Sequence, residues 1–170
     1  MFANTVLEII SPSVEKFGFR KHKSEVKKYS SNIVWRKGNL YIKVESTNFP
    51  TDYPFFYNLV FGEGDSDNFF EYDWNSIALW RIKRKIDSSD IAKEYEFPFG
   101  EKVGFSISNA NIELIKYVDA FLSGDMTLFY EIRSEQNKGR EPYKIYTPDK
   151  EGNYSTTDEP KSAEQKKKYS

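Results

Sequence analysis

Ile33-Val34-Trp35-Arg36-Lys37-Gly38-Asn39-Leu40-Tyr41-Ile42-Lys43-Val44-Glu45 is the stretch that decides the fold. Leu40, Ile42 and Val44 alternate with Tyr41, Lys43 and Glu45, and a period of two puts the first three on one face of a strand. Lys37-Gly38-Asn39 is a turn signal between two such runs. Upstream, Tyr29, Ser31, Ile33 and Trp35 continue the alternation, so one strand is expected over residues 25–36. Downstream, residues 49–54 form a loop and residues 55–61 a further, strongly apolar strand. Strands joined this closely form an antiparallel meander rather than βαβ units.

Working outward, Phe2, Val6, Ile9 or Ile10, Val14 and Phe17 recur at helical steps. Pro12 either kinks that helix or opens a second one capped by Ser11. Gly18 fits a C-terminal cap. Residues 62–73 read as an acidic loop; residues 80–86 alternate like a strand, but residues 75–84 also read as a helix capped by Asn75, and the helix is expected. Residues 95–99 and 102–107 are short apolar runs. Ile112, Ile115, Val118 and Leu122 share one helical face; Gly124 ends that helix and Asp125 caps the next, which carries Leu128, Phe129, Ile132 and Gln136. Pro142 stops it. The expectation is an α+β fold: an antiparallel sheet of about four to six strands, with an N-terminal helix and a C-terminal αα-hairpin packed on it. Residues 1–146 form the domain, and residues 147–170 a polar C-terminal extension that can form a hairpin and a short helix. Ser162 and Gln165 have capping-box spacing, although ten polar residues do not hold a helix alone in water. The expected core is Trp35, Leu40, Ile42, Val44, Leu59, Phe61, Ile115, Val118, Phe129 and Ile132.

The 170 residues include 25 Lys+Arg against 26 Asp+Glu, no Cys and a single His. Absence of Cys removes disulfides, thiolate metal sites and thiol nucleophiles. A net charge of −1 argues against a dedicated nucleic-acid binder. No apolar run is long enough to span a bilayer, and Glu8 interrupts the N-terminal apolar run where a signal peptide would need continuity. A cytoplasmic protein is expected. His22, between Lys21 and Lys23, lacks any G-x-S-x-G partner motif. Glu25-Val26-Lys27 matches the short E-x-K element of magnesium-dependent nucleases, which also needs an acid nearby, usually on an adjoining strand; upstream of Glu25 the only acids are Glu8 and Glu15, both in the expected helix. No phosphate-binding glycine loop is present. No cofactor is expected.

Charge is uneven. Residues 1–43 hold nine Lys/Arg and three Glu, whereas residues 44–101 hold five Lys/Arg and twelve Asp/Glu. Within residues 63–73 lie five acids and no base. The candidate partner-binding set is Glu63, Asp65, Asp67, Phe69, Phe70, Glu71, Tyr72, Asp73 and Trp74: aromatic anchors with an acidic rim, suited to a protein with a basic surface. As loop charges, the acids are expected to matter little for folding. The segment fails the EF-hand pattern, since Phe70 stands where Gly is needed.

Gly18-Phe19-Arg20 closing a helix, followed by an aromatic-rich meander, resembles small bacterial α+β domains, some grouped with immunity proteins of polymorphic toxin systems. The resemblance covers about residues 1–61 and carries over no functional residue. It implies a non-enzymatic protein-binding domain, an immunity or inhibitor protein. The alternatives are a carboxylate-based, magnesium-dependent hydrolase or nuclease, and a structural or regulatory subunit.

Overall fold

In the computed structural model, residues 1–88 and 93–170 are described. The chain runs through α1 (Phe2–Glu15), β1 (Arg20–Val26), β2 (Ser30–Lys37), β3 (Leu40–Thr47), β4 (Phe56–Glu63), α2 (Phe69–Asn75), β5 (Ser76–Ala78) and α3 (Leu79–Asp87). It continues through β6 (Tyr95–Glu96), α4 (Lys102–Ser123), α5 (Thr127–Lys138), β7 (Lys144–Pro148), β8 (Tyr154–Asp158) and α6 (Pro160–Tyr169). Strands β1 to β5 lie side by side in chain order, β6 joins beside β4, and every pairing is antiparallel. β7 and β8 form a separate hairpin. The fold is α+β, with the N-terminal helix and the αα-hairpin packed on the sheet's inner face. No helix among the described residues is long and apolar enough to cross a membrane.

Several elements differ in extent from the sequence reading. The run over residues 25–36 is two arms of a hairpin, closed by the Lys27 N–H donating to the Ser30 carbonyl at 2.8 Å. Both arms carry the same period, and Lys27-Lys28-Tyr29 contains no Gly, Pro or Asn to announce a turn. Helix α1 continues through Pro12. Ser11 does not cap a second helix; its Oγ accepts from Trp35 Nε1 at 3.1 Å and ties α1 to β2. Asn75 ends α2 instead of opening a helix, and β5 intervenes before α3. Residues 102–107 are the first turns of α4. Asp125 accepts from the Thr127 N–H at the start of α5, as expected of a cap. At α6 the cap is Glu159, whose carboxylate accepts from the Ser162 N–H at 2.6 Å.

The inner face is built from Ile33, Trp35, Ile42, Val44, Tyr57, Leu59, Phe61 and Ile77, all buried against α1 and the helices beside it. Of the expected core, Leu40 is half-buried and packs against this cluster, whereas Ile115 is 36% exposed. The buried stripe of α4 is Val103, Ile107, Ala110, Leu114, Tyr117 and Phe121, spaced three or four residues apart over the helix's full length. Ile112 and Ile115 lie off that stripe. Val118 and Leu122, which share their helical spacing, are themselves buried, because the buried face widens towards the C-terminal end of α4.

The outer face is not simply solvated. Cross-strand rows place Arg36, Tyr41, Gly62 and Ser76 side by side, then Val34, Lys43, Val60 and Ala78, then Asn32, Glu45 and Asn58. Tyr41 and Lys43, expected on the wet face, are buried, because residues 64–68 and α2 fold back over them. The Tyr41 ring lies across Gly62 so closely that a Cβ there would stand 2.1 Å from it. Gly62→Ala is therefore expected to cost about 1–3 kcal/mol by forcing the ring aside. Gly104→Ala, in helix α4 with open space around it, should instead stabilise by about 0.5–1 kcal/mol. Urea midpoints of the two variants moving in the same direction would contradict this packing.

Candidate functional site

Residues 63–73 are half loop and half helix. Asp65 Oδ1 accepts from the Asp67 N–H at 2.8 Å and shapes the turn; Asn68 Oδ1 accepts from the Phe70 N–H and starts α2. The roof is pinned to the sheet from below. Arg36 donates to the Gly64 carbonyl at 2.7 Å, Lys43 Nζ to the Ser66 carbonyl at 2.9 Å, and the Tyr41 hydroxyl to Asn75 Oδ1 at 2.5 Å. The Lys43 ammonium also stands 3.7 Å from the centre of the Tyr72 ring.

Four of the five acids expected to face a basic partner already meet cations of this chain. Glu63 pairs with Arg133 at 3.1 Å, Asp67 with Lys23 at 3.3 Å, and Asp73 with Arg140 at 2.5 Å. Glu71 accepts from the Tyr169 hydroxyl at 3.1 Å, with the Lys168 ammonium at 3.9 Å. Tyr143 also donates to Asp73. These partners come from β1, α5, the residues after α5 and α6, so no local pattern announces them. Among the aromatics, Trp74 is fully buried beneath the Arg140 guanidinium, Phe70 and Tyr72 are half-buried, and Phe69 is exposed but stacked on Tyr143. The segment is tied to distant parts of the chain through Glu63, Asp67, Glu71 and Asp73, whereas Asp65 serves the local turn. The buried Asn137 carboxamide completes the junction by donating to the Trp74 carbonyl at 2.7 Å and the Tyr169 carbonyl at 2.9 Å. The C-terminal helix is thereby docked.

The other candidates are placed as follows. His22 is exposed at an irregularity in the β1–β2 register. Glu25 is held between Lys27 at 2.9 Å and Lys23 at 3.4 Å, which lowers its carboxyl from the usual range. Among the described residues no group of three His, Cys, Asp or Glu side chains is arranged to hold a metal ion.

A different surface has the unpartnered character that the acidic segment lacks. Between β6 and the start of α4 runs a groove of about 670 Å³ lined by Tyr95, Phe97, Phe99, Phe105, Asn109 and Glu113, among others. Phe97 and Phe99 meet edge to face at 5.3 Å, and Phe55 joins them at 6.3 Å. Phe105 is 73% exposed and Phe99 59%. Ile112, seven residues after Phe105 and so on the same side of α4, is 64% exposed. Glu113 forms the polar end, accepting from Lys83 Nζ at 2.8 Å and from the Tyr95 hydroxyl. Sequence reasoning missed this site because residues 102–107 were not seen as helical. With α4 starting at Lys102, Phe105 and Ile112 fall opposite the buried stripe, and that mismatch was the available signal. Comparison with protein-family models, with curated proteins and with solved structures finds no match to this chain.

Two expectations test the junction. Asp73→Asn should cost about 1–3 kcal/mol, since it strips Arg140 and Tyr143 of a charged acceptor; a loss indistinguishable from zero in chemical denaturation would make the pair ornamental. Burial, with the Asp73 contact adding to it, pushes the Tyr143 phenol up to about 12. Burial alone leads the rise of Tyr57 to about 12 and the rises of Tyr41, Tyr72 and Tyr95. Unfolded phenols ionise near 10 while these stay protonated in the fold, so the unfolded chain binds fewer protons there and stability falls as pH rises above 10. Phenolate absorbance should therefore appear in two phases, the second coincident with loss of structure.

Proposed function

We propose that this chain is a non-enzymatic protein-binding domain of the immunity or inhibitor kind, acting in the cytoplasm and docking its partner in the aromatic groove between β6 and α4. The observation that carries this reading is the pair of exposed rings, Phe99 and Phe105, that line one groove. Contiguous exposed apolar surface rimmed by polar residues marks interaction sites, and aromatic side chains dominate their energetics. Glu96 lines this edge and, among the described residues, has no ion-pair partner; Glu101 precedes Lys102 in the chain beside it. The fitting partner presents an apolar anchor set in a basic surface, and steering by this rim weakens with salt. The resemblance over residues 1–61 supports an immunity role within this class. The acidic segment contributes indirectly, by roofing the sheet that carries β6.

The test is photo-crosslinking in the source cells from a benzophenone side chain placed at position 105, with position 154 on the β7–β8 hairpin as control. A discrete adduct from position 105, absent from position 154 and lost on Phe99→Ser, is expected. Because Phe99 is 59% exposed yet meets Phe97 and Phe55, that substitution should cost on the order of 1 kcal/mol and leave the chain folded, which its denaturation midpoint checks. Identical adducts from both positions, or none from position 105, would remove the groove as the docking surface.

A further inference from the structure

The lower rows of the sheet's outer face are left open by the roof. Two adjoining cavities of about 340 Å³ and 260 Å³ share Glu45, Asn58, Tyr72 and Glu94 as walls. The first is lined at its far side by Asp52 and Phe56; the second runs on past Val60 and Ala78 to Trp80 and Arg81. Most charges around this trough are accounted for. Asp73 is paired with Arg140, and Glu94 accepts from Asn58 Nδ2 at 2.9 Å. Two are not. Among the described residues Glu45 has no hydrogen bond or ion pair, although its neighbours across the strands are Asn32 and Asn58. Among the described residues Arg81, half-buried, has only the face of Trp80, 4.4 Å from its guanidinium carbon.

An unpaired carboxylate and an unpaired guanidinium that line one cavity without reaching each other form a bipolar site. Leaving either in a partly desolvated place costs free energy that a ligand of opposite charge recovers. The environments agree with this. Burial raises the Glu45 carboxyl from its usual range, with Asp73 and Glu94 adding to the rise and Lys43 opposing it. Burial lowers the Arg81 guanidinium, with Arg140 and Arg84 adding to the fall. The Glu45 end therefore gains from an incoming ammonium, and the Arg81 end from an incoming carboxylate.

Length narrows the class of ligand. Glu45 stands on β3 and Arg81 in the first turn of α3, which follows β5; the backbones of β3 and β5 are two strands apart, about 10 Å at ~4.8 Å per strand. An extended tripeptide spans about the same distance. The floor, Val60 and Ala78, is apolar and smooth, and Tyr72 and Trp80 wall the sides. We propose that this trough binds short linear peptides as zwitterions, the N-terminal ammonium on Glu45 and the C-terminal carboxylate on Arg81. The site is separate from the aromatic groove and does not depend on it.

Trp80 is the reporter, because Trp35 and Trp74 are fully buried while Trp80 lines the trough. Trialanine, N-acetyl-trialanine and trialanine amide would be titrated against the intact chain at millimolar concentration, following tryptophan emission and heat of binding. Trialanine should bind, and blocking either end should weaken it on the order of tenfold or more, as removal of a charge-assisted contact does. Glu45→Gln should erase the penalty for N-acetylation and leave the penalty for amidation; Arg81→Met should do the reverse. No saturable binding of trialanine, or equal binding of all three peptides, would overturn the proposal. Neither result bears on crosslinking from position 105.

Discussion

Burial of Lys43 is the constraint on which the rest of the structure depends. An ammonium taken out of water costs several kcal/mol unless it is hydrogen-bonded and faced by compensating charge or π density. Here the Ser66 carbonyl and the Tyr72 ring supply both, and both belong to the segment that leaves β4 and returns as α2. That segment therefore lies flat on the sheet's outer face. Once there, it receives Tyr41 through Asn75 and Arg36 through Gly64. Burial still lowers the Lys43 ammonium from the usual lysine value, so its compensation is partial and the roof is held by the ensemble of contacts.

Electrostatic closure extends from this roof across the molecule. The acids of residues 63–73 draw Lys23, Arg133, Arg140 and Lys168 towards one place, from parts of the chain far apart in sequence. Individually such pairs contribute little where exposed. Those of Glu63 and Asp73 are more enclosed, and Arg133 and Arg140 each lie over an aromatic ring as well. Through Asn137, Tyr169 and Ser162 the same junction anchors a C-terminal helix too polar to persist alone.

Beside the roofed half of the outer face and the filled inner face lie the two surfaces proposed to take ligands. One is apolar and lies beside α4; the other is bipolar and lies on the open rows of the sheet. They differ in what they offer a ligand. Phe99 and Phe105 offer area, which suits a large partner, whereas Glu45 and Arg81 offer two fixed charges, which suit a small one.

Alternation around Leu40, Ile42 and Val44, the Lys37-Gly38-Asn39 turn, and Gly124 followed by Asp125 were sufficient to determine an α+β fold with an antiparallel meander and an αα-hairpin. These signals are local: a period of two, a turn residue and a cap act within a few residues. Tertiary structure alone decided which of two helical stripes in α4 met the sheet, since Ile112–Ile115 and Ile107–Leu114 are equally periodic and only contact with β4 and α1 separates them. It alone decided that Tyr41 and Lys43 were buried, because the contacts that cover them come from 23 and 34 residues downstream. The acidic run was legible as a run, but not as a junction. A carboxylate's partner is set by distance in space, and four of these five acids meet cations 44 to 97 residues away along the chain.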